Sequence, residues 1–149
     1  MTEAERRAAV FFRARGRCEY CGCPADFSSS DFAVEHIFPR SHFGFSDALE
    51  NLALSCQGCN NRKFTAVAAT DPVMGELVPL FHPRKDLWEE HFTWSDDALL
   101  LLPKTAIARA TTARLQLNRP GVINVRRGLI ALGEHPLTEI LAESAERKE

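Results

Sequence analysis

The sequence has little of what marks a membrane-bound or strongly charged protein. Its N-terminal apolar run, AAVFF, has five residues, whereas a membrane span needs about 20 and a signal peptide needs a longer, cleaner apolar segment. The net charge is -2, so the chain as a whole offers no attraction to nucleic acid or to an acidic membrane. We therefore expect a soluble cytoplasmic protein without a membrane partner, in which a local patch would have to bind any nucleic acid.

The pattern of apolar residues and breakers predicts a mixed chain of short helices and strands. Thr2 and Glu5 have capping-box spacing and Gly16 is a helix stop, which predicts a helix over about 3–15. A strand over about 32–37, a loop, a second strand over 52–55 and a helix over 60–70 should follow. The remaining elements expected are an edge strand at 77–81, a helical turn in DLWEEHF, a buried strand at 99–102, helices over 105–117 and 121–132, and a polar tail helix.

Four of the five cysteines fall into two C-x-x-C pairs. In a reducing compartment this spacing indicates a metal site rather than disulfides. Four thiolates complete a tetrahedron around zinc and leave no open position, as in structural sites. The alternative is two buried, reduced pairs, because free cysteine is a common core residue. The predicted ligands are Cys18, Cys21, Cys56 and Cys59.

The segment VEHIFPRSHFGFSDALENLALSCQGCNNRKF, at residues 34–64, resembles the HNH endonucleases. The family pattern is an acidic residue followed by His and Ile, then Pro, then Asn-Leu, then Cys-x-x-Cys followed by His or Asn. With the first cysteine pair the match spans about residues 18–64. It implies an α+β fold with a ββα-metal core braced by a four-cysteine zinc site. We expect the core at residues 1–70 and a C-terminal strand and helix extension at 71–149, packed on the same domain.

The resemblance also assigns chemical roles in the hydrolysis of DNA phosphodiester bonds. His36 would be the general base, because an ordinary histidine is largely neutral at cellular pH. Glu35 and Asn60 would hold a catalytic metal, and Asn51 would bond across the loop to orient the His36 ring. Carboxylate and amide oxygens suit a hard ion, which favours Mg²⁺ or Mn²⁺ over a second zinc. Glu35 and His36 are neighbours, so they can share a site only where the strand ends or twists.

Basic residues supply candidate contacts to DNA. Arg40, Arg62 and Lys63 border the expected site and could touch phosphates. The stretch from Lys104 to Gly133 has six basic residues and no acidic one. It could follow a phosphate backbone, or it could form two amphipathic helices with solvated arginine faces.

Two other functions fit parts of the same pattern. A zinc-ribbon module could keep the cysteine scaffold and bind nucleic acid without catalysis. An RNA-cutting toxin is a third interpretation. The presence of Glu35, His36 and Asn60 together favours the DNA endonuclease.

Overall fold

The computed structural model of the protein describes residues 1–137. The tail helix expected near the C-terminus lies outside the described residues. The chain divides into two compact units, residues 1–67 and a second unit that begins at Ala68. The expectation that the C-terminal extension packs on the core as one domain stays a prediction. Among residues 1–137, no helix is long and apolar enough to cross a membrane.

The first unit begins with helix α1, Glu3–Arg13, as expected from its capping box. The Thr2 hydroxyl accepts a hydrogen bond from the backbone of Glu5, and the Glu5 carboxylate accepts one from the backbone of Thr2. The two bonds satisfy amides that the first turn leaves without helical partners. The helix is followed by Gly16, whose φ of +67° lies in the left-handed region that glycine tolerates.

The centre of the first unit is a β-hairpin followed by a helix. Strands β1, Ala33–His36, and β2, Leu52–Ser55, pair antiparallel. Helix α2, Gln57–Lys63, follows directly. Every residue of β2 is buried, and α1 packs against this strand while α2 packs against β1. The expected ββα order is confirmed, and both strands lie close to their predicted positions.

The second half of the helix predicted over 60–70 is wrong. Helix α2 ends at Lys63, and Phe64 then takes a positive φ of +51°. Ala68–Thr70 instead form strand β3, which pairs antiparallel with β4, Leu77–Pro79. Pairing with β4 therefore outweighs the helix propensity of this alanine-rich run.

Within residues 68–137, the second unit contains two hairpins and three helices. After β3 and β4 come the short helix α3, Trp88–His91, and the strands β5, Phe92–Trp94, and β6, Leu101–Pro103, which pair antiparallel. Helices α4, Ala106–Leu115, and α5, Pro120–Ala131, then follow. The strand predicted at 99–102 thus starts later, and within it only Leu101 is buried. Helix α4 packs against β3, β4 and β6.

Two arginines of the basic stretch in the second unit are held by protein groups. Arg109 makes two hydrogen bonds, of 2.8 and 2.7 Å, to the buried carboxylate of Asp71. Arg126 is itself buried and donates to the carbonyls of Leu99 and Leu117. These contacts favour a structural role for both side chains over contact with a phosphate backbone.

Candidate active site and metal centre

The two cysteine pairs meet in the first unit. The Sγ atoms of Cys18, Cys21, Cys56 and Cys59 all lie within 4.8 Å of one another. The Cys21 and Cys56 sulfurs are 3.7 Å apart, which matches the ~3.8 Å edge of a tetrahedron with zinc–sulfur bonds of ~2.3 Å. The cluster can hold one zinc ion with four sulfur ligands. Cys23 is not a member of it.

Backbone amides support each half of the cluster. The amide of Cys21 points at the Cys18 sulfur at 3.5 Å, and that of Cys59 points at the Cys56 sulfur at 3.4 Å. Both amides favour negative charge on sulfur, whereas burial raises the pKa of the Cys18 thiol well above its usual range. A bound dication offsets that burial cost, since a coordinating thiol is deprotonated. The chemistry of the four donors therefore fits a structural zinc ion.

Glu35 lies on the buried side of β1. Its residue surface is 6% exposed. Tyr20 Oη donates a hydrogen bond to Glu35 Oε1, and Lys63 Nζ lies 3.2 Å from Oε2. Burial raises the pKa of the Glu35 carboxyl, although the Lys63 ammonium and the Tyr20 hydroxyl both act to lower it. The carboxylate is thus held by a buried cation and a buried hydroxyl.

His36 is the last residue of β1 and lies on the more exposed side of the strand. Its Nε2 atom is 2.8 Å from Asp47 Oδ1. The His36 ring centroid is 5.1 Å from that of Phe45. An ionised carboxylate can only accept, so the neutral ring donates its proton from Nε2 and keeps Nδ1 as a free acceptor. The hydrogen bond also lowers the pKa of Asp47.

One surface cleft brings three of the expected site residues together. Glu35, His36 and Asn60 all line it. Among the described residues, the Asn60 side chain has no hydrogen-bonding partner, and the residue is half-buried. The cleft is completed by Val34, Pro39, Arg40, Phe45 and Phe64. Because β1 ends at His36, the two neighbouring residues reach one cleft although their side chains leave opposite faces of the strand.

Comparisons with known proteins match this part of the chain. The family model described as HNH endonuclease matches residues 18–65, which contain both cysteine pairs, Glu35, His36 and Asn60. Residues 18–65 form an HNH endonuclease domain. The chain is also similar to the CRISPR-associated endonuclease Cas9 of Corynebacterium diphtheriae, with 41% identity over 51 residues.

A second relative is the Septu protein PtuB of Bacillus thuringiensis, with 29% identity over 73 residues. The Cas9 match covers 34% of this chain and 4% of the relative, and the PtuB match covers 48% and 28%. The chain therefore spans less than a third of either relative's length. No solved structure gives a significant match.

Asn51 braces the loop between the two strands of the HNH domain. Its Oδ1 accepts a hydrogen bond from the Phe38 amide, and its Nδ2 donates to the carbonyls of Phe38 and Ser46. Asn51 thus bonds across the loop to backbone groups, and its expected role in orienting the His36 ring stays a prediction. The direct partner of the His36 ring is Asp47.

The basic residues expected near DNA divide into two groups. Arg40 is exposed, lines the cleft of the HNH domain and places its guanidinium 4.9 Å from the Phe45 ring centroid. Arg62 is half-buried and donates to the Gly58 carbonyl. Lys63 departs from expectation, because it is 1% exposed and bonds to Glu35 and the Ile37 carbonyl. Its position is that of a buried counter-ion rather than a phosphate contact.

Sequence reasoning missed two residues that hold the site. They are Tyr20, which contacts Glu35, and Asp47, which contacts His36. It also gave Lys63, which contacts Glu35, the role of a phosphate contact. Lys63 follows Asn60 by three residues on α2, and this spacing is the one signal that places both on the side of the helix facing β1. Asp47 lies in a loop without periodicity, and Tyr20 lies in the first cysteine knuckle.

Proposed function

We propose that this protein is a metal-dependent endonuclease that hydrolyses DNA phosphodiester bonds in the cytoplasm. His36 serves as the general base, and Glu35 and Asn60 hold the catalytic divalent ion. The observation that carries the proposal is the cleft that Glu35, His36 and Asn60 line together at the open end of the ββα core. The family match to residues 18–65 supports the same assignment.

The His36 ring has the contacts that a general base requires. With Nε2–H donating to Asp47, the Nδ1 lone pair is available to take a proton from water. The ring is half-exposed at the end of β1, where it lines the cleft. A positioned base of this kind contributes roughly 10²- to 10⁴-fold in rate.

The donors in the cleft fit a hard divalent ion. Glu35 supplies a carboxylate and Asn60 an amide carbonyl, which are ligands that Mg²⁺ and Mn²⁺ accept. Within the described part of the chain, each Glu35 oxygen has one protein partner, Tyr20 or Lys63, whereas a carboxylate has about four acceptor positions in all. When bound, the ion would neutralise charge that develops on the phosphate oxygens.

The rest of the domain would position this site. Cys18, Cys21, Cys56 and Cys59 would bind structural zinc, which ties the first knuckle to the start of α2. Asn51 would hold the loop that carries Asp47 and so orient His36 indirectly. Arg40 and Arg62 are the proposed phosphate contacts, and the exposed, cleft-lining guanidinium of Arg40 is the better placed of the two.

A nicking assay tests the proposal. Supercoiled plasmid is incubated with the purified protein and Mg²⁺ or Mn²⁺, and the relaxed and linear forms are quantified. We expect cleavage that requires the added ion and that falls roughly 10²- to 10⁴-fold in His36→Ala. A His36→Ala protein that keeps its zinc and cuts at the wild-type rate would disprove the catalytic assignment.

The second candidate is a nucleic-acid-binding module with no catalysis. It is favoured by the burial of Glu35, whose oxygens both have protein partners. Such a module would bind DNA, hold zinc and show no ion-dependent nicking with either Mg²⁺ or Mn²⁺. The same assay, combined with a binding measurement, separates the two functions.

A further inference from the structure

Three rings stack on one another in the loop that joins β1 to β2. The Phe38 and His42 centroids are 4.4 Å apart with an angle of 14° between the rings. The His42 and Phe43 centroids are 4.3 Å apart at 27°. Phe43 is the outer member, and it is 99% exposed. The stack therefore ends in an aromatic side chain that faces solvent.

The loop holds this stack by several specific contacts. Asn51 bonds to both backbone polar groups of Phe38 at the base of the stack. The Gly44 amide donates to His42 Nδ1 at 2.9 Å, which fixes the middle ring. A Cβ atom at Gly44 would lie 2.7 Å from the Phe38 ring, so glycine is required for this packing. The exposed position of Phe43 is thus built into the loop.

The same loop also lines the candidate active site. Phe45 follows Phe43 by two residues, which span at most about 7 Å of backbone. The Phe45 ring lies 5.1 Å from that of His36, and Arg40 lies over its face. Phe64, which is 74% exposed, lines the same cleft. The loop therefore carries an open aromatic ring close to the cleft that Arg40 and His36 line.

We propose that Phe43 is a stacking platform for an unpaired base of the substrate, so that the enzyme prefers single-stranded or locally unpaired DNA. This inference rests on the proposed function, because it takes the cleft to bind DNA. Every base has a π-face, and aromatic side chains bind unpaired bases with little regard to sequence. A base inside a duplex already stacks on both sides and cannot reach the ring. The positive charge of the neighbouring Arg40 would attract the phosphate backbone of the DNA.

Binding to three matched DNA probes tests the proposal. The probes are a single strand, its full duplex and the same duplex with an unpaired bubble. Each is titrated in a His36→Ala background without added Mg²⁺ or Mn²⁺, so that cleavage does not disturb the binding measurement. Phe43→Ala should weaken binding to the single strand and the bubble by roughly 5- to 100-fold, with duplex binding unchanged. Phe43→Trp should keep the affinity, and its added fluorescence should be quenched by the single strand. Phe12→Ala, which truncates an exposed phenylalanine of α1, is the matched control and should change nothing.

The possible results separate the two proposals. If Phe43→Ala loses the same affinity for the duplex as for the single strand, the proposal is wrong. Phe43 would then insert between paired bases or contact DNA without regard to pairing. Unchanged binding of Phe43→Ala to all three probes would overturn it as well, even if the wild-type protein cuts plasmid. A selective loss of single-strand binding in a protein that cuts no DNA would support the platform and remove the nuclease.

Discussion

The Nε2 atom of His36 lies 2.8 Å from Oδ1 of Asp47, which joins the end of β1 to the loop that follows it. The contact selects one tautomer of the neutral ring, because the ionised carboxylate can only accept a proton donor. It also limits rotation of the ring. His36 lines both the cleft with Asn60 and a neighbouring cleft with Asp47, so the ring stands between its partner and the proposed ion site.

Removing the Asp47 carboxylate should impair His36 without unfolding the protein. Asp47 is exposed, so Asp47→Ala should lower the cleavage rate at saturating DNA by roughly tenfold or more, as loss of an outer partner of a functional histidine does. Asp47→Asn keeps an acceptor oxygen and should retain more activity than Asp47→Ala. Glu50→Ala removes the same charge nearby and serves as the control. Equal rates for all three variants and wild type would show that Asp47 does not position His36.

Asn60→Ala should separate ion binding from base catalysis. Among residues 1–137 its side chain has no hydrogen-bonding partner, and alanine favours helix, so the fold should not suffer. The Mg²⁺ concentration for half-maximal cleavage should rise, and excess Mg²⁺ should restore most of the rate by mass action. Excess Mg²⁺ should not restore His36→Ala, since an ion cannot replace a missing base. An Asn60→Ala protein with unchanged Mg²⁺ dependence would remove Asn60 from the ion site.

Lys63→Met should destabilise the protein strongly. The substitution leaves the buried Glu35 carboxylate without its cation, and breaking such a pair costs about 3–5 kcal/mol of unfolding free energy. Adding Glu35→Gln to Lys63→Met should recover much of that loss. Chemical denaturation of the wild type, the two single variants and the double variant measures the coupling energy between the two side chains. Additive losses in this cycle would mean that the two buried side chains do not depend on each other.

Zinc should be bound at about one ion per chain and should be needed for the fold of the first unit. Cys56→Ser should lose the ion and the structure of this unit, since it removes one of four ligands from the cluster. Cys23→Ser is the matched control, because Cys23 lies next to the first knuckle but outside the cluster. Elemental analysis and circular dichroism report both properties. Well-folded protein without zinc would contradict this prediction.

The metal cluster and the helices and strands of the HNH domain could be predicted from the sequence better than the side chains that contact Glu35 and His36. Cysteine spacing and the capping box depend on local patterns, so the metal cluster and α1 could be predicted from single motifs. The contact between Asp47 and His36 depends on how a non-repeating loop folds back, and no local pattern encodes it. Lys63 was misplaced because a lysine is usually exposed, and its burial follows only from the position of Glu35 in three dimensions.

The pairing of Asp71 with Arg109 should make the second unit sensitive to acid. Arg109 holds the pKa of Asp71 below the usual range, so the pair stabilises the fold above the ordinary aspartate pKa of about 3.9. This stability should be lost progressively as the pH falls below about 5, because the unfolded chain then binds a proton that the folded state resists.

Tryptophan fluorescence can follow this loss in the second unit alone, because the two tryptophans of the chain, Trp88 and Trp94, both lie there. Arg109→Ala should lower the unfolding temperature at pH 7. Between pH 5 and pH 3, the unfolding temperature of this variant should fall less than that of the wild type. Lys104→Ala removes the same charge from an exposed position just before α4, where the ammonium donates to the Glu89 carbonyl, and should keep the wild-type pH dependence. If Arg109→Ala follows the wild-type curve at every pH, Asp71 does not depend on Arg109 for its stabilising effect.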